Sequence, residues 1–478
     1  MGVNIQKKKL SDFRSEESLR YDYKYISSFE TSSKDFYSYR QLFDFVPYQS
    51  IDISTLEQFK YAEIGNVNKL GEVEPVEMSF DDRQEENESL FKKIEKGDII
   101  KPLSGDVLIS KIRPYLNKNV LINNEETFFT KAFIHIRPKI NSELFFLALR
   151  TKFINQINAV SRQGKGYPTL KEDDLKSIRF PKSIVDALVN LQSELIEKIS
   201  LLKQEIANLK GTKKHTLNII NQVFGEEFGF DWSAFENIKK EKIYTSSILK
   251  FANNIDCRMG IRFHNKAGAY IQSFLESKTN KRIKDFISEN IVLGKSVSPS
   301  DYDEDGEYFY IAMSNIKSWA FDPEDCKKVS ETYAASNLNK TVKKGDILLA
   351  RSGEGTIGKV ALIEDEDING IFADLTQRIR FTGFDPLCAY YYMRSDFFQY
   401  LVYTHKKGLG NNTNIFPSQI KEFPIPDWDK NKQAEIVDKI KTQLDEQKVI
   451  NRQIEEKQLA INKIIEDAIG NVLKVSQN

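Results

Sequence analysis

The sequence predicts an α+β protein built as two related globular units, each followed by a long helix. Three observations predict it: internal matches that keep one order, apolar heptad spacing at the end of each copy, and a Gly-Asp turn that opens paired apolar strands in both copies.

The matches come first. Segment 105–122 reads GDVLISKIRPYLNKNVLI and segment 345–363 reads GDILLARSGEGTIGKVALI. Gly105, Asp106 and Val120 fall on Gly345, Asp346 and Val360 at an offset of 240. Each segment reads as a Gly-Asp turn, an apolar strand, a basic turn and a second apolar strand. Arg20-Tyr21-Asp22-Tyr23 resembles Arg258-Met259-Gly260-Ile261 at an offset of 238, and Tyr61, Asn66 and Val67 match Tyr310, Asn315 and Ile316 at 249. Leu175–Pro181 (LKSIRFP) matches Ile420–Pro426 (IKEFPIP), and Gly225 matches Gly470, both at 245. Ordered matches with a slowly drifting offset mark a diverged duplication. The implied division is 1–183 for the first globular unit, 184–226 for its helix, 227–430 for the second unit and 431–478 for the second helix.

The helices follow Pro181 and Pro426, which close the preceding strands. Leu195, Ile199, Leu202, Ile206 and Leu209 alternate spacings of four and three, and Thr216, Ile220 and Val223 continue the stripe past Lys213, a polar interruption. Adding 245 gives Ile440, Leu444, Gln447, Asn451, Ile454, Gln458, Ile461, Ile465 and Ala468. A stripe of this kind also fits a helix lying on its own domain. Two stripes in equivalent places of a duplicated chain favour each other as partners, in an antiparallel coiled coil with an internal pseudo-two-fold repeat. Leu195 then lies near Ala468 and Val223 near Ile440. Polar residues such as Gln447 and Asn451 in the seam would fix its register.

Composition narrows the class. Basic and acidic residues balance at 69 each, so net charge gives no sign of a nucleic-acid partner and favours a neutral cytosolic protein. Charge distribution, not the sum, governs binding, and acidic runs such as 81–86 and 364–367 can offset basic patches. Cys257, Cys326 and Cys388 are isolated and there are only four histidines, which argues against a structural zinc site. The N-terminal residues contain no apolar targeting core, and no apolar run approaches the ~18 residues that span a bilayer. A cytoplasmic protein without a membrane partner is expected.

Catalytic motifs are thin. Gly353–Lys359 (GEGTIGK) fits the start of a phosphate-binding loop, but that loop needs Ser or Thr next and then a helix. Val360 follows instead, and Val360-Ala361-Leu362-Ile363 reads as a strand. HExxH and GxSxG are missing, as is an Asp/Asn-Pro-Pro-aromatic segment. Asp106 and Asp346 follow glycine before a strand, where a turn role outweighs a paired-carboxylate one.

The repeated Gly-Asp-strand-basic-turn-strand element, the segments LKEDDLKSIRFP and IFPSQIKEFPIP, and the helix after each resemble the specificity subunit of type I restriction–modification systems over nearly the whole chain. The resemblance implies two target recognition domains, each reading one half of a split double-stranded DNA site. It implies two helices that act as spacer and dock two methyltransferase subunits, and a separate motor–nuclease (restriction) subunit. S-adenosylmethionine and ATP would sit on those partners, with no cofactor bound by this chain and no catalysis of its own. Two other readings compete: a nucleotide-binding enzyme using Gly353–Lys359, and a coiled-coil adaptor without a nucleic-acid role.

Candidate DNA contacts lie where basic and amide residues cluster in loops: Lys111, Arg113, Lys118, Arg162, Lys165 and Tyr167 in the first unit, and Arg351, Lys359, Lys406, Lys407, Asn411, Asn412 and Asn414 in the second. Arg and Lys suit phosphates or guanine edges, and Asn suits adenine. Gly164-Lys165-Gly166 and Gly408-Leu409-Gly410 permit close backbone approach. Tyr61 and Tyr310 read as core residues. A paired coil of about 30 residues is roughly 45 Å long, which spans about 13 base pairs of duplex.

Overall fold

The computed structural model describes residues 35–475 except 49–57, 80–95, 97, 124–125, 164–165, 242–244, 246, 248, 250–257, 318, 325, 354–355, 367 and 409–412. The chain forms two compact units. Unit 1 is Met1–Thr212 with Ile450–Asn478, and unit 2 is Lys213–Val449. Arg20–Tyr23, one half of a sequence match, lie outside the described residues.

Among the described residues, unit 1 has two four-stranded sheets. The first orders Phe43–Phe45, Phe133–Pro138, Val107–Ser110 and Val120–Leu121, all antiparallel. Its central strands are buried on both faces, which is why they read as continuous apolar runs. Val107, Ile109, Ile134 and Ile136 pack with the helices, while Leu108 and Phe133 pack with Ala62, Ile100 and Phe129 of the second sheet. That sheet orders Val76–Ser79, Gln58–Ala62, Thr127–Thr130 and Ile99–Ile100. Gln58–Ala62 and Thr127–Thr130 run parallel, with Tyr61 opposite Phe128.

Unit 2 repeats the plan. Val292–Leu293, Thr376–Ile379, Ile347–Ala350 and Val360–Leu362 form one sheet, and Lys327–Val329, Tyr308–Ile311 and Gly370–Phe372 the other. Ile347, Leu349 and Ile379 face the helices, and Leu348, Ala350 and Ala361 face the second sheet. The parallel pair recurs, with Tyr310 opposite Ile371. Tyr61 and Tyr310 are buried core residues at equivalent places.

Small devices recur too. Gly105 and Gly345 adopt φ of 89° and 87°, a region closed to most side chains. Their N–H groups donate to the carbonyls of Ile122 and Ile363, each at 2.8 Å. The next residue, Asp106 or Asp346, is 1% exposed. The Asp106 carboxylate accepts from Leu103 N–H at 2.9 Å and from Arg137 Nε and Nη2 at 2.6 and 2.9 Å. Asp346 accepts from Lys343 N–H at 2.7 Å and from Arg380 Nε and Nη2 at 2.7 and 2.8 Å. Both aspartates are thus spent on the turn and on a clasp to the neighbouring strand. Asn66 and Asn315 accept from the N–H of Glu63 and Ala312 at 2.8 and 3.0 Å, a second shared turn.

The helical segments depart from expectation at one end. Residues 184–226 do not form one helix. They divide among Lys182–Asn190, Gln192–Thr212 and Thr216–Phe228. The break after Thr212 has a local cause. Lys214 N–H donates to the side chain of Gln447 at 2.8 Å, and the His215 ring caps Leu217 N–H at 3.3 Å. Both amides are satisfied outside a continuous helix, and Gly211 just before them weakens helix by about 1 kcal/mol. The second segment is one helix, Lys430–Val475.

In unit 2 that helix runs antiparallel to Thr216–Phe228. Lys432 and Lys439 pair with Glu227 at 2.5 and 2.6 Å, and Gln447, further along, meets Lys214. Ile220 and Ile440 are fully buried there and Leu444 half-buried. In unit 1, Ile454, Ile461 and Ile465 share a core with Leu195, Ile199 and Ile206, edged by Leu202 and Leu209, and Lys457 pairs with Glu205 at 2.5 Å. Asn451 departs from the expected seam: it is exposed, and the adjacent Ile450 packs inward. Burying an aliphatic side chain there is favourable, whereas an unpaired amide would cost free energy. Gly225 and Gly470 match in sequence for different reasons. A Cβ at Gly225 would lie 2.2 Å from Trp232 Nε1, while nothing comes within 4 Å at Gly470.

Candidate nucleic-acid interface

Each unit ties together two loops that carry the expected contacts. In unit 1 the strand Val107–Ser110 runs into Lys111–Asn117. Lys111 C=O accepts from Leu170 N–H at 2.8 Å, and Arg113 N–H donates to Pro168 C=O at 2.9 Å. The second loop is a hairpin of Arg162–Gln163 against Pro168–Thr169. In unit 2, Arg351 C=O accepts from Ile415 N–H at 2.9 Å, and Lys407 and Asn414 exchange backbone bonds at 2.7 Å each. Bridges Ile112–Thr169 and Ser352–Asn414 complete the lacing. The two loops meet in the same way in both units.

The side chains differ. Lys111 is half-buried, and its ammonium donates to Tyr48 Oη at 2.7 Å and Lys131 C=O at 2.9 Å. Burial lowers its pKa, opposed by the field of Glu172. Lys118 donates to Ile64 C=O at 3.2 Å, and Arg162 pairs with buried Asp174 at 2.7 Å. These three cations serve the frame of unit 1. Arg113 is exposed, left-handed at φ 49°, and lies 5.5 Å from the centre of the Tyr167 ring, itself 37% exposed. A non-glycine residue held at positive φ is a strained position of the kind that clusters at functional sites. Lys165 lies outside the described residues.

In unit 2, Arg351 Nε donates to Asp374 C=O at 2.8 Å, and its guanidinium lies 5.9 Å from the centre of the Phe416 ring. Lys359, Lys407 and Asn414 are half-buried, and Asn411 and Asn412 lie outside the described residues. Lys406 is a correction. It is 4% exposed, with its ammonium 5.4 Å from the Tyr403 ring centre, and so does not face solvent. The helix ending at His405 delivers it to the interior, where its aliphatic stem packs.

Sequence reasoning missed the residues that hold the second loop of unit 2. Arg258 donates to the carbonyls of His405 and Lys406 at 3.0 and 2.7 Å, and Arg262 to Gly408 C=O at 2.8 Å. Arg258 stands in one of the internal matches, which was the only signal for it. Tyr48, Leu375 and Phe416 were also missed, although Phe416 sits in the repeated Pro-ended segment.

The segment Gly353–Lys359 is a strand-to-strand loop. Ala350 N–H donates to Lys359 C=O and Gly358 N–H to Ala350 C=O, both at 2.9 Å, and the strand Val360–Leu362 follows. Among the described residues the loop leads into a strand, not into the helix N-terminus that a phosphate cradle would need. ATP titrated into the protein is therefore expected to show no saturable binding by calorimetry. Tight binding abolished by Lys359→Ala would overturn that statement. Among the described residues, no cluster of three or more His, Cys, Asp or Glu is placed to hold a metal ion, and no helix is long and apolar enough to cross a membrane.

Loops carrying basic and aromatic residues thus recur on the α+β frame of each unit. Residues 276–458 match the family model described as the type I restriction modification DNA specificity domain. The match covers most of unit 2 beyond Leu275 and the start of the last strip of unit 1, and makes that stretch similar to a DNA specificity domain. No curated protein matches it. Solved chains similar to it include one from work on complex assembly and conformational transition of the type I R-M system, 15% identical over 91% of this chain and 97% of that one, with a TM-score of 0.36. Another is the HsdS subunit from Thermoanaerobacter tengcongensis, 15% identical over 91% and 96%, with a TM-score of 0.28. A third is the type I restriction-modification S subunit from M. genitalium, 10% identical over 92% and 98%, with a TM-score of 0.34.

Proposed function

We propose that this chain reads a split duplex target, with one recognition domain per half-site. In this reading, segments 1–183 and 227–430 are the reading domains. Segments 184–226 and 431–478 form an antiparallel coiled coil that sets the spacing and docks two methyltransferase subunits and, through them, the motor–nuclease subunits. S-adenosylmethionine and ATP belong to those partners, this chain contributes no catalytic group or cofactor site, and the assembly works in the cytoplasm. The observation that carries the reading is the pair of laced loops built twice on one frame. Each presents an arginine beside an aromatic ring, the residue types that meet phosphates and base edges.

Two measurements test it. Affinity of the protein, with its methyltransferase, for duplex DNA is expected to fall steeply with salt, because phosphate contacts release counterions. An affinity flat from 50 to 200 mM salt, or no binding, would favour a protein-only adaptor. Inserting seven residues into each helix, at facing positions near Glu205 and Lys457, adds about 10 Å, or roughly three base pairs. Methylome sequencing is expected to show a longer spacer between unchanged half-sites. Changed half-sites with an unchanged spacer would end the ruler part of the proposal.

A further inference from the structure

We infer that each unit reads a guanine through one arginine held against an aromatic ring: Arg351 on Phe416 in unit 2, and Arg113 on Tyr167 in unit 1. The inference rests on the DNA-reading function above and assigns its base-reading groups.

Arg351 is fixed on several sides. Its N–H donates to Leu375 C=O and its C=O accepts from Ile415 N–H, both at 2.9 Å. Its Nε–H is taken by Asp374 C=O at 2.8 Å, and its guanidinium lies over Phe416. The two terminal nitrogens make no hydrogen bond to any described residue. What remains is a planar fork with little freedom to rotate, presenting donors at its outer edge. Guanine offers O6 and N7 side by side in the major groove, which matches that fork. A phosphate also accepts a fork, but it needs charge more than orientation and keeps its hydration. Here the fork lies against an exposed apolar ring, Phe416 at 37% exposure. An apolar wall suits a base edge or a thymine methyl better than a hydrated phosphate. Ordering the side chain before binding also removes part of the entropic cost of recognition.

Unit 1 reaches the same arrangement with other residues. The position equivalent to Arg351 is Lys111, whose ammonium is donated to Tyr48 and Lys131. The arginine comes two residues later, at the place of Gly353, and its ring partner Tyr167 stands where Asn412 does. Phe416 in turn corresponds to Lys171. Non-equivalent residues thus build one arginine–aromatic pair across the same two laced loops in each unit. Shared ancestry of the positions does not explain this, whereas a shared task does. The differing placement also lets the two half-sites differ.

The test is selection of duplexes from a random library by the full chain in complex with its methyltransferase. The wild-type complex is expected to enrich a motif with two constant blocks. Arg351→Ala, and equally Arg351→Lys, is expected to make one G·C pair of one block degenerate, a loss of about 5- to 150-fold preference, and to leave the other block intact. Arg113→Ala is expected to do the same in the other block. A uniform loss of affinity with the motif unchanged, and a salt slope shallower by about one, would make the arginine a phosphate contact and overturn the assignment. An unchanged motif at unchanged affinity would overturn it too. Arg351→Lys keeps the charge and the stem, so it decides the matter if the alanine variant unfolds. A wild-type complex that enriches no motif would instead sink the DNA-reading function itself.

Discussion

Asp106→Ala is expected to destabilise unit 1 by about 3–4 kcal/mol. The carboxylate is buried, and its loss strands three donors: Leu103 N–H, the Arg137 guanidinium and the His135 ring, whose Nε2 lies 2.7 Å away. His135 is 4% exposed, so water does not readily replace the bond. Arg137 is half exposed and recovers some hydration, which keeps the figure at the lower end for a broken buried pair. For a unit of this size the thermal midpoint should fall by on the order of 10 °C. A fall under 2 °C would show that the clasp adds little. The pH dependence follows from the same contacts. Burial alone would raise the Asp106 carboxyl, but hydrogen bonds from His135, Arg137 and Leu103 outweigh it and hold the group well below the usual carboxylate range. A group depressed in the folded state contributes fully above its unfolded value of about 4, and that contribution is lost as pH falls from there through the folded value. Asp106→Asn is therefore expected to lower stability at pH 7 and to flatten its decline below about pH 4.

Phe397→Ala is expected to cost unit 2 about 3–5 kcal/mol, read by denaturant unfolding. Phe397 is fully buried, and its ring centre lies 5.0 Å from Phe228, 4.9 Å from Phe230 and 5.5 Å from Trp232. These rings join the helix Asp396–His405 to residues 228–232, so truncation opens a cavity that neighbours on two elements cannot both fill. Phe397→Leu should cost less, about 1–2 kcal/mol. Equal losses for the two variants would mean that ring geometry, not volume, holds this core. At temperatures where the alanine variant stays folded, any DNA motif selected through unit 2 in the proposed function should be unchanged, because Phe397 packs in the interior, away from the laced loops after Ala350 and His405.

Features with local causes were legible in the sequence. The Gly-Asp turns announce themselves because glycine supplies positive φ and the carboxylate caps its own turn. Tyr61 and Tyr310 read as core because they recur inside matched apolar runs. The strand after Lys359 was legible because Val360-Ala361-Leu362-Ile363 is a continuous apolar run. What failed depends on partners far away in the chain. Lys406 is a lysine, a type rarely buried, and only the packing of its helix shows that it is inside. Arg162 looks like a free loop cation until Asp174 folds beneath it. The helix break at 213–215 depends on Gln447, more than two hundred residues later. Arg351 and Phe416 are neighbours only because Ile415 returns to the Arg351 carbonyl.

The order of segments has a consequence for how the protein is made. Unit 2 is one uninterrupted run, Lys213–Val449, nested inside a unit 1 whose two pieces flank it. A chain emerging from the ribosome holds all of unit 2 before it holds the last strip of unit 1, which carries Ile454, Ile461 and Ile465. Until that strip arrives, Leu195, Ile199 and Ile206 lack the side chains that cover them in the finished unit. Unit 1 begins first and finishes last, so a premature stop late in the message would leave unit 2 with its sequence intact and unit 1 unsealed.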